Sequence, residues 1–219
     1  MDEDTLKLWN KLSDFVKKIC DGRDKSHGHN HMKCVARNAL KILENELKSF
    51  NQDVIMKIII VAWLHDVADH KYDKDGTLKI QVREFLKTIF NNENDCDVIM
   101  KIIDLISYSN ENNAILSGNK IDFCKELGLV NGFIRYVVSD ADKLEALGKI
   151  GFDRCVEYTR HNYKEKYSIE IPNEILKQLV ITHANEKLLR LKDEFIYTNT
   201  GKEMAEILHN ELMESLNGM

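Results

Sequence analysis

The sequence predicts an all-α protein. Only one of the 219 residues is proline, Pro172, and only ten are glycine, so few residues would interrupt a helix. Long segments mix leucine and isoleucine with lysine and glutamate, and their apolar residues recur at helical spacing. No segment shows the alternating pattern of a half-buried strand. Because 43% of the residues are hydrophobic, the chain is able to bury a sizeable core.

The two N-terminal helices are predicted from one apolar stripe each, and both stripes predict a face turned to the core. The first stripe consists of Leu6, Trp9, Leu12, Val16 and Ile19, and the second of Val35, Ala39, Ile42, Leu43 and Leu47. Further helices are predicted at about residues 53–67, 79–91, 95–108, 132–147, 149–165, 173–192 and 201–216. The helix at 53–67 is apolar on most of its surface, which predicts a central, nearly fully buried helix.

The connections between these helices are predicted where Gly, Asn, Asp, Ser and Lys cluster, at residues 21–30, 70–77, 109–119 and 165–172. Thr200 and Glu203 have the spacing of a capping box, which predicts that the last helix begins there. None of the connections has the composition of an interdomain linker. We therefore expect one domain over residues 1–219.

Composition and charge argue against several classes of protein. A net charge of −5 and a pI near 5.9 provide no broad basic field for nucleic acid. The five cysteines are widely spread without a Cys-x-x-Cys pair, which favours a reducing compartment over a disulfide framework or a zinc knuckle. The most apolar run, residues 58–64, is too short to cross a bilayer, and the N-terminus is acidic. We expect a cytoplasmic protein that binds neither nucleic acid nor membrane.

Three fragments place metal-binding side chains beside predicted helices. Residues 27–31 carry three histidines just before a helix. His65 and Asp66 lie at the C-terminal end of the buried helix, with Asp69 one turn after His65. Residues 138–144 carry two aspartates within a core-forming helix. Carboxylates at the edge of apolar segments are costly to bury without a partner, and a divalent cation would remove that cost.

Each fragment by itself also has an ordinary explanation. His65 can cap the helix C-terminus while Asp66 and Asp69 lie in solvent. Asp140 and Lys143 can form an exposed ion pair of little consequence. Closely spaced histidines in a polar loop are more often solvated than bound to a metal. The residues alone leave these alternatives open.

Taken together and in order, the fragments resemble the H…HD…D pattern of the HD-domain metal-dependent phosphohydrolases, most closely the small bacterial-type members. Residues 26–31, from Ser26 to His31, resemble a Ser-His-x-x-x-His segment. Residues 64–71 resemble Leu-His-Asp-x-x-Asp-x-Lys, and residues 140–148 resemble Asp-Ala-Asp-(Arg/Lys)-Leu-x-Ala-(Ile/Leu)-Gly. Two further motifs, in residues 150–154 and 182–188, extend the resemblance to the C-terminus. It implies a single helical HD domain, with a core at about 25–150 and a helical extension at 151–219.

The resemblance also implies a metal site with one divalent ion, which would be Mn, Fe, Co, Ni or Zn. The metal ligands that it implies are His31, His65, Asp66 and Asp142. Asp142 is preferred over Asp140 because the last ligand of the family stands in an Ala-Asp-x-Leu context, which residues 141–144 match. Asp140 would then lie next to the ligands. Only His70 lies between the HD pair and the last aspartate, so one ion is expected instead of two.

The implied chemistry is hydrolysis of a phosphate ester or anhydride. Asp69 would orient or deprotonate the attacking water, with Lys71 beside it as a second catalytic residue. The cationic side chains expected to bind substrate phosphate are Lys71, Arg154, His183 and Lys187. The expected substrate is a nucleotide or related small phosphate ester, with phosphate or pyrophosphate as leaving group. A non-catalytic module that senses nucleotide or metal is the alternative, and a helical scaffold without a metal is a third hypothesis.

Overall fold

The computed structural model describes residues 1–24, 27–46 and 51–219, and over these residues the protein is all-α, as predicted, with no strand. Ser26 and Leu47, which contributed to the motif and the stripe above, lie outside the described residues. The helices are α1 (Glu3–Ile19), α2 (His29–Glu46), α3 (Gln52–Leu64), α4 (Thr77–Lys87), α5 (Glu93–Asp104), α6 (Tyr108–Leu116), α7 (Phe123–Leu127), α8 (Leu129–Leu144), α9 (Gly148–Tyr167), α10 (Asn173–Glu186) and α11 (Asn199–Asn217).

The first of two compact units comprises Met1–Ser139 and is organised around helix α3. Residues 58–64 of this helix are all fully buried. Helices α1, α2 and α5 pack against it, so that seven consecutive apolar residues are covered on every side. The prediction of a central buried helix is confirmed, although α3 ends at Leu64 and the predicted helix extended to residue 67.

Helix α6 shows why a loop was wrongly predicted at residues 109–119. The only buried residue of this helix is a charged one, Glu111, so the segment has no apolar stripe. The Arg135 guanidinium, which is fully buried, donates to Glu111 Oε2 at 3.0 Å and to the Leu105 carbonyl oxygen at 3.1 Å. It also lies 3.6 Å from the centre of the Phe123 ring. One arginine of α8 thereby joins α6 to α7, a short helix that was also not predicted.

The second unit comprises Asp140–Met219 and contains the last residues of α8 followed by α9, α10 and α11. Helix α9 packs against both α10 and α11. A side chain at Gly148, where φ is +68°, would meet Leu208 and Glu211 of α11 at 2.9 Å. Both contacts are with the ends of flexible side chains, which can move aside, so it is the left-handed φ that favours glycine at this position. The predicted organisation as one domain stays a prediction.

The C-terminal helices begin and end at residues other than those predicted. Helix α10 ends at Glu186, and a 3₁₀ turn (Leu188–Arg190) and a π-helical turn (Leu191–Phe195) occupy the rest of the predicted helix at 173–192. The N-cap of α11 is Thr198, whose hydroxyl oxygen accepts from the Gly201 amide at 3.0 Å. The prediction that the Thr200 capping box begins this helix is therefore wrong. No helix among the described residues combines the length and apolar character needed to span a membrane.

Candidate metal centre

The two histidines of the predicted metal site both belong to the first unit and are buried. Residues 27–31 were expected just before a helix, whereas helix α2 begins at His29, so His31 lies within its first turn. His65 is the C-cap of α3, directly after the fully buried run 58–64. His31 is 3% exposed and His65 is 6% exposed. Packing of α2 against α3 thus brings the two imidazoles to within 5.4 Å of each other, measured between ring centres.

The Asp66 carboxylate lies against both imidazoles. Its Oδ2 atom is 3.6 Å from Nε2 of His31 and 3.6 Å from Nε2 of His65. The Asp66 side chain keeps 22% of its surface exposed, so one side of this group of three faces outward. The structure therefore brings His31, His65 and Asp66 together, as the resemblance implied.

The hydrogen bond of His65 determines which of its ring nitrogens points at Asp66. Nδ1 of His65 lies 2.9 Å from the Ala62 carbonyl oxygen, and because a carbonyl only accepts, Nδ1 must carry the proton. In the neutral ring Nε2 then presents its lone pair toward the carboxylate. Histidines that bind metals commonly donate their other N–H to a backbone carbonyl in this way. Two electron-pair donors, Nε2 and the Asp66 carboxylate, suit a cation as a shared partner.

Arg23, which the sequence analysis did not single out, holds the turn that carries Asp66. Its guanidinium donates to the carbonyl oxygens of Asp66 at 3.0 Å and Val67 at 2.7 Å. The same guanidinium lies over the ring of Tyr72, 4.3 Å from the ring centre. These carbonyls follow the C-terminal end of α3, where helices leave acceptors without intrahelical donors. No local pattern predicts this contact, because the partners are more than forty residues apart.

Asp69 and Lys71 follow in the same turn, and each has a defined partner. The Asp69 Oδ1 atom accepts from the backbone amide of Lys71 at 2.8 Å, which holds the carboxylate close to its own backbone. The Lys71 ammonium donates to Asp24 Oδ2 at 2.9 Å. The ion pair with Asp24 was not predicted. It means that the cation expected to bind phosphate is already in contact with an anion of the protein.

Asp140, one of the two candidates for the last ligand, is engaged within the second unit. Its fully buried carboxylate accepts from the backbone amides of Tyr197 at 3.0 Å and Thr198 at 2.7 Å, and from the Thr198 hydroxyl at 2.7 Å. Burial raises the pKa of Asp140 to about 6, against the opposing effect of these hydrogen bonds and of Lys143. A Cβ on Gly201 would lie 2.8 Å from this carboxylate. Asp140 therefore holds the segment that leads into α11.

The other predicted substrate-binding residues lie in the second unit. Arg154 donates to the Glu145 carbonyl oxygen at 3.1 Å and lies 3.7 Å from the Glu145 carboxylate. Burial, followed by the charge of Lys187, lowers the pKa of His183 below its usual 6.5. His183 is therefore neutral at pH 7 and offers a hydrogen bond in place of a charge. Asp142 is half-buried two residues after Asp140.

Comparison with known proteins identifies the fold. The chain has the fold of an HD-superfamily hydrolase, as the sequence resemblance implied: such a hydrolase from Bacillus thuringiensis superposes with a TM-score of 0.63 and 24% identity, over 98% of this chain and 95% of that one. The structure of Bacillus subtilis YpgQ in complex with ADP superposes with a TM-score of 0.65 and 24% identity, over 98% of this chain and 94% of that chain.

Sequence relatives agree with this assignment of the fold. YpgQ of Bacillus subtilis is 26% identical over 210 residues, covering 95% of this chain and 90% of YpgQ. A protein of Acanthamoeba polyphaga mimivirus, L803, is 29% identical over 196 residues, covering 84% of this chain and 72% of L803. A Lactobacillus plantarum structure superposes with a TM-score of 0.69 and 21% identity, over 97% of this chain and 94% of that chain. No family model matches the sequence.

Proposed function

We propose that the protein is a metal-dependent phosphohydrolase that acts on a nucleotide or a related phosphate ester. The observation that carries the proposal is the position of the Asp66 carboxylate, 3.6 Å from Nε2 of both buried histidines. With Asp142 as the fourth member, the ligands are two imidazoles and two carboxylates. Such a set suits one divalent ion of Mn, Fe, Co, Ni or Zn.

Asp142 is the proposed fourth ligand because Asp140 has a different task. The fully buried Asp140 carboxylate accepts hydrogen bonds from three donors, which are the backbone amides of Tyr197 and Thr198 and the Thr198 hydroxyl. Moving it to a metal would leave these donors without an acceptor, which costs about 1–3 kcal/mol for each buried group. Asp142 lies on the same helix and is only half-buried. This supports the order of preference that the family motif implied.

The proposed chemistry divides the work among the residues of the turn after α3. A divalent cation bound at this site would lower the pKa of a coordinated water and polarise a phosphoryl oxygen of the substrate. Asp69 accepts the proton of the attacking water. Its Oδ1 is held by the Lys71 amide at 2.8 Å, so the orientation of the carboxylate is set before substrate binds. Lys71 then contacts a phosphate oxygen, and Arg154, His183 and Lys187 are proposed as further phosphate contacts.

A nucleotide is the proposed substrate class because YpgQ, which has the same fold, was crystallised with ADP. The test is release of phosphate or pyrophosphate from a panel of nucleoside mono-, di- and triphosphates in the presence of Mn²⁺. We expect metal-dependent release by the parent protein and its loss in Asp66→Ala. His161→Ala is the matched control, since the His161 side chain on α9 is 68% exposed and contacts Glu165, which has no proposed role, and it should retain activity.

The assay also separates hydrolysis from sensing. Loss of release in Asp66→Ala with retention in His161→Ala supports the phosphohydrolase, and the product identifies the leaving group. Binding of nucleotide without release of either product, under all the metals named above, would reject it in favour of a non-catalytic sensing module. A parent protein that purifies without stoichiometric metal, and gains none on dialysis against any of the metals named above, would reject the metal-dependent hydrolase; if it also bound no nucleotide, the helical scaffold would be favoured.

A further inference from the structure

Three hydrogen-bond donors of the first unit converge on the Asp24 carboxylate. The Lys71 ammonium lies 2.9 Å from Asp24 Oδ2, and the Tyr72 hydroxyl donates to the same oxygen at 2.5 Å. The His27 Nδ1 atom lies 2.9 Å from Asp24 Oδ1. Because an ionised carboxylate only accepts, the proton of His27 is on Nδ1. An ammonium, a phenol and an imidazole N–H therefore surround one anion.

The same three donors suit a phosphate group. A carboxylate is planar and a phosphate is tetrahedral, but the oxygens of both accept charge-assisted hydrogen bonds, at about 2.7–2.9 Å from N–H donors and about 2.5–2.7 Å from O–H donors. The donors also have contacts that do not involve the Asp24 carboxylate. Arg23 lies over the Tyr72 ring, the His27 ring packs edge-on against it at 5.6 Å, and the Lys71 amide is held by Asp69.

The anion that occupies these donors is accessible and belongs to a connection between helices. The Asp24 side chain is 42% exposed and the Lys71 side chain is 52% exposed, so a dissolved anion can reach both. Asp24 lies between α1 and α2, outside either helix. Its carboxylate can therefore move away without disturbing a helical hydrogen bond. Burial opposes the charge of Asp24, but the hydrogen bonds from Tyr72, Lys71 and His27 outweigh it and hold its pKa well below 3.8.

We propose that Lys71, Tyr72 and His27 form an anion subsite for a phosphate group of the substrate, and that Asp24 occupies this subsite until a phosphate displaces it. The proposal deepens the proposed function, on which it rests for the identity of the anion. It adds Tyr72 and His27 to the substrate contacts and gives Asp24 the role of an internal competitor. A terminal diphosphate or triphosphate, with more charge than a carboxylate, displaces Asp24 more readily than a monoanion does.

The test measures the affinity of the metal-free protein for inorganic pyrophosphate by isothermal titration calorimetry in EDTA. We expect Asp24→Asn to bind pyrophosphate about tenfold more tightly than the parent protein, because the competing charge is gone while the three donors remain. Lys71→Met in the Asp24→Asn background should reverse the gain. The matched control is Asp21→Asn, which removes the same charge from an exposed position in the same connection and should change the affinity by less than about twofold.

Each result decides the proposal. Pyrophosphate binding that is unchanged, weaker or absent in Asp24→Asn would overturn it, as would an equal gain in Asp21→Asn, which would indicate a general charge effect. Asp24→Glu retains the carboxylate and should bind pyrophosphate as weakly as the parent, and circular dichroism checks that both variants are folded. Since no metal and no turnover are involved, this outcome is independent of the nucleotide hydrolysis assay: a protein without hydrolase activity can still show the gain, and an active one can lack it.

Discussion

The Nε2 atom of His65 lies 3.6 Å from Oδ2 of Asp66, its neighbour in the chain. Adjacent residues on a continuing helix diverge by about 100°. Helix α3 ends at Leu64 with His65 as its C-cap, so the pair lies at the helix end. The two side chains meet there although the His65 backbone still has helical angles, with φ −55° and ψ −35°.

Removal of the His65 imidazole is expected to abolish stable metal binding. We predict that His65→Ala retains less than about a tenth of the bound metal of the parent protein, because loss of a ligand costs at least the 10- to 100-fold in affinity that loss of a supporting residue costs. The measurement is metal content by inductively coupled plasma mass spectrometry after dialysis against Mn²⁺. His161→Ala, which removes an exposed imidazole of α9, should bind metal as the parent does. Full occupancy in His65→Ala would exclude this imidazole as a ligand.

Substitution of Asp69 is expected to separate chemistry from folding. In Asp69→Asn the side-chain oxygen still accepts a hydrogen bond from the backbone amide of Lys71, which measures 2.8 Å in the structure, so the turn is preserved. The variant no longer accepts a proton, and kcat should fall by about 10²- to 10⁴-fold with little change in KM. Steady-state kinetics on the best nucleotide of the panel measure this, and metal content is the control. A kcat within threefold of the parent would remove Asp69 from the proton transfer.

Asp140 and Asp142 should respond oppositely to the same substitution. Asp140→Asn replaces an acceptor of the Tyr197 and Thr198 amides, and we expect a loss of about 2–3 kcal/mol in the free energy of unfolding with metal stoichiometry retained. Asp142→Asn should lose the metal and destabilise the metal-free protein less. Urea unfolding in EDTA and metal analysis give the two quantities. The reverse assignment is correct if Asp140→Asn loses the metal while Asp142→Asn keeps it.

Loss of the buried ion pair between Arg135 and Glu111 is expected to destabilise the protein more than loss of a surface ion pair. Both side chains are at most 2% exposed, so Arg135→Met leaves a carboxylate buried without its cation, at a cost of about 3–5 kcal/mol. Arg135→Met combined with Glu111→Leu should cost less than the single change. Arg83→Met, at a partly exposed arginine that pairs with Glu93 and Asp97, should cost much less than Arg135→Met. Denaturant unfolding compares the three, and equal costs for Arg135→Met and Arg83→Met would contradict the prediction.

Asp24 is expected to make stability depend on pH in the acid range. Its pKa in the folded protein lies below the ordinary 3.8, so its stabilising effect is present above pH 3.8 and is lost as the pH falls through the lower folded-state value. Because the side chain is 42% exposed, solvent screening limits the effect to about 1 kcal/mol. The difference in unfolding free energy between the parent and Asp24→Asn should therefore be constant from about pH 5 to 7 and shrink below about pH 4. If the difference in unfolding free energy grew toward low pH, the pKa of Asp24 in the folded protein would be raised and not lowered.

The fold was predictable where burial follows a local apolar pattern. In α2 the described stripe residues Val35, Ala39, Ile42 and Leu43 are buried as predicted. In α1 the prediction is partly wrong, because Leu12 and Val16 are buried whereas Leu6 is 48% exposed and Leu8 is buried in its place. Helix α6 was not predictable, because its one buried side chain is the carboxylate of Glu111. That carboxylate is buried only because Arg135, 24 residues away, supplies a cation, and hydrophobic periodicity contains no information about such a partner.

By itself, the sequence determined the class of fold, the buried helix that carries His65 at its C-terminal end and the order of the motifs, because spacing along a helix and the cost of burying charge are local properties. Only the tertiary structure decided which carboxylates have other partners. Asp140 meets the backbone of Tyr197 and Thr198 across 57 and 58 residues, and Lys71 meets Asp24 across 47. Such hydrogen bonds depend on how helices and connections pack, and residue spacing within one segment does not specify them.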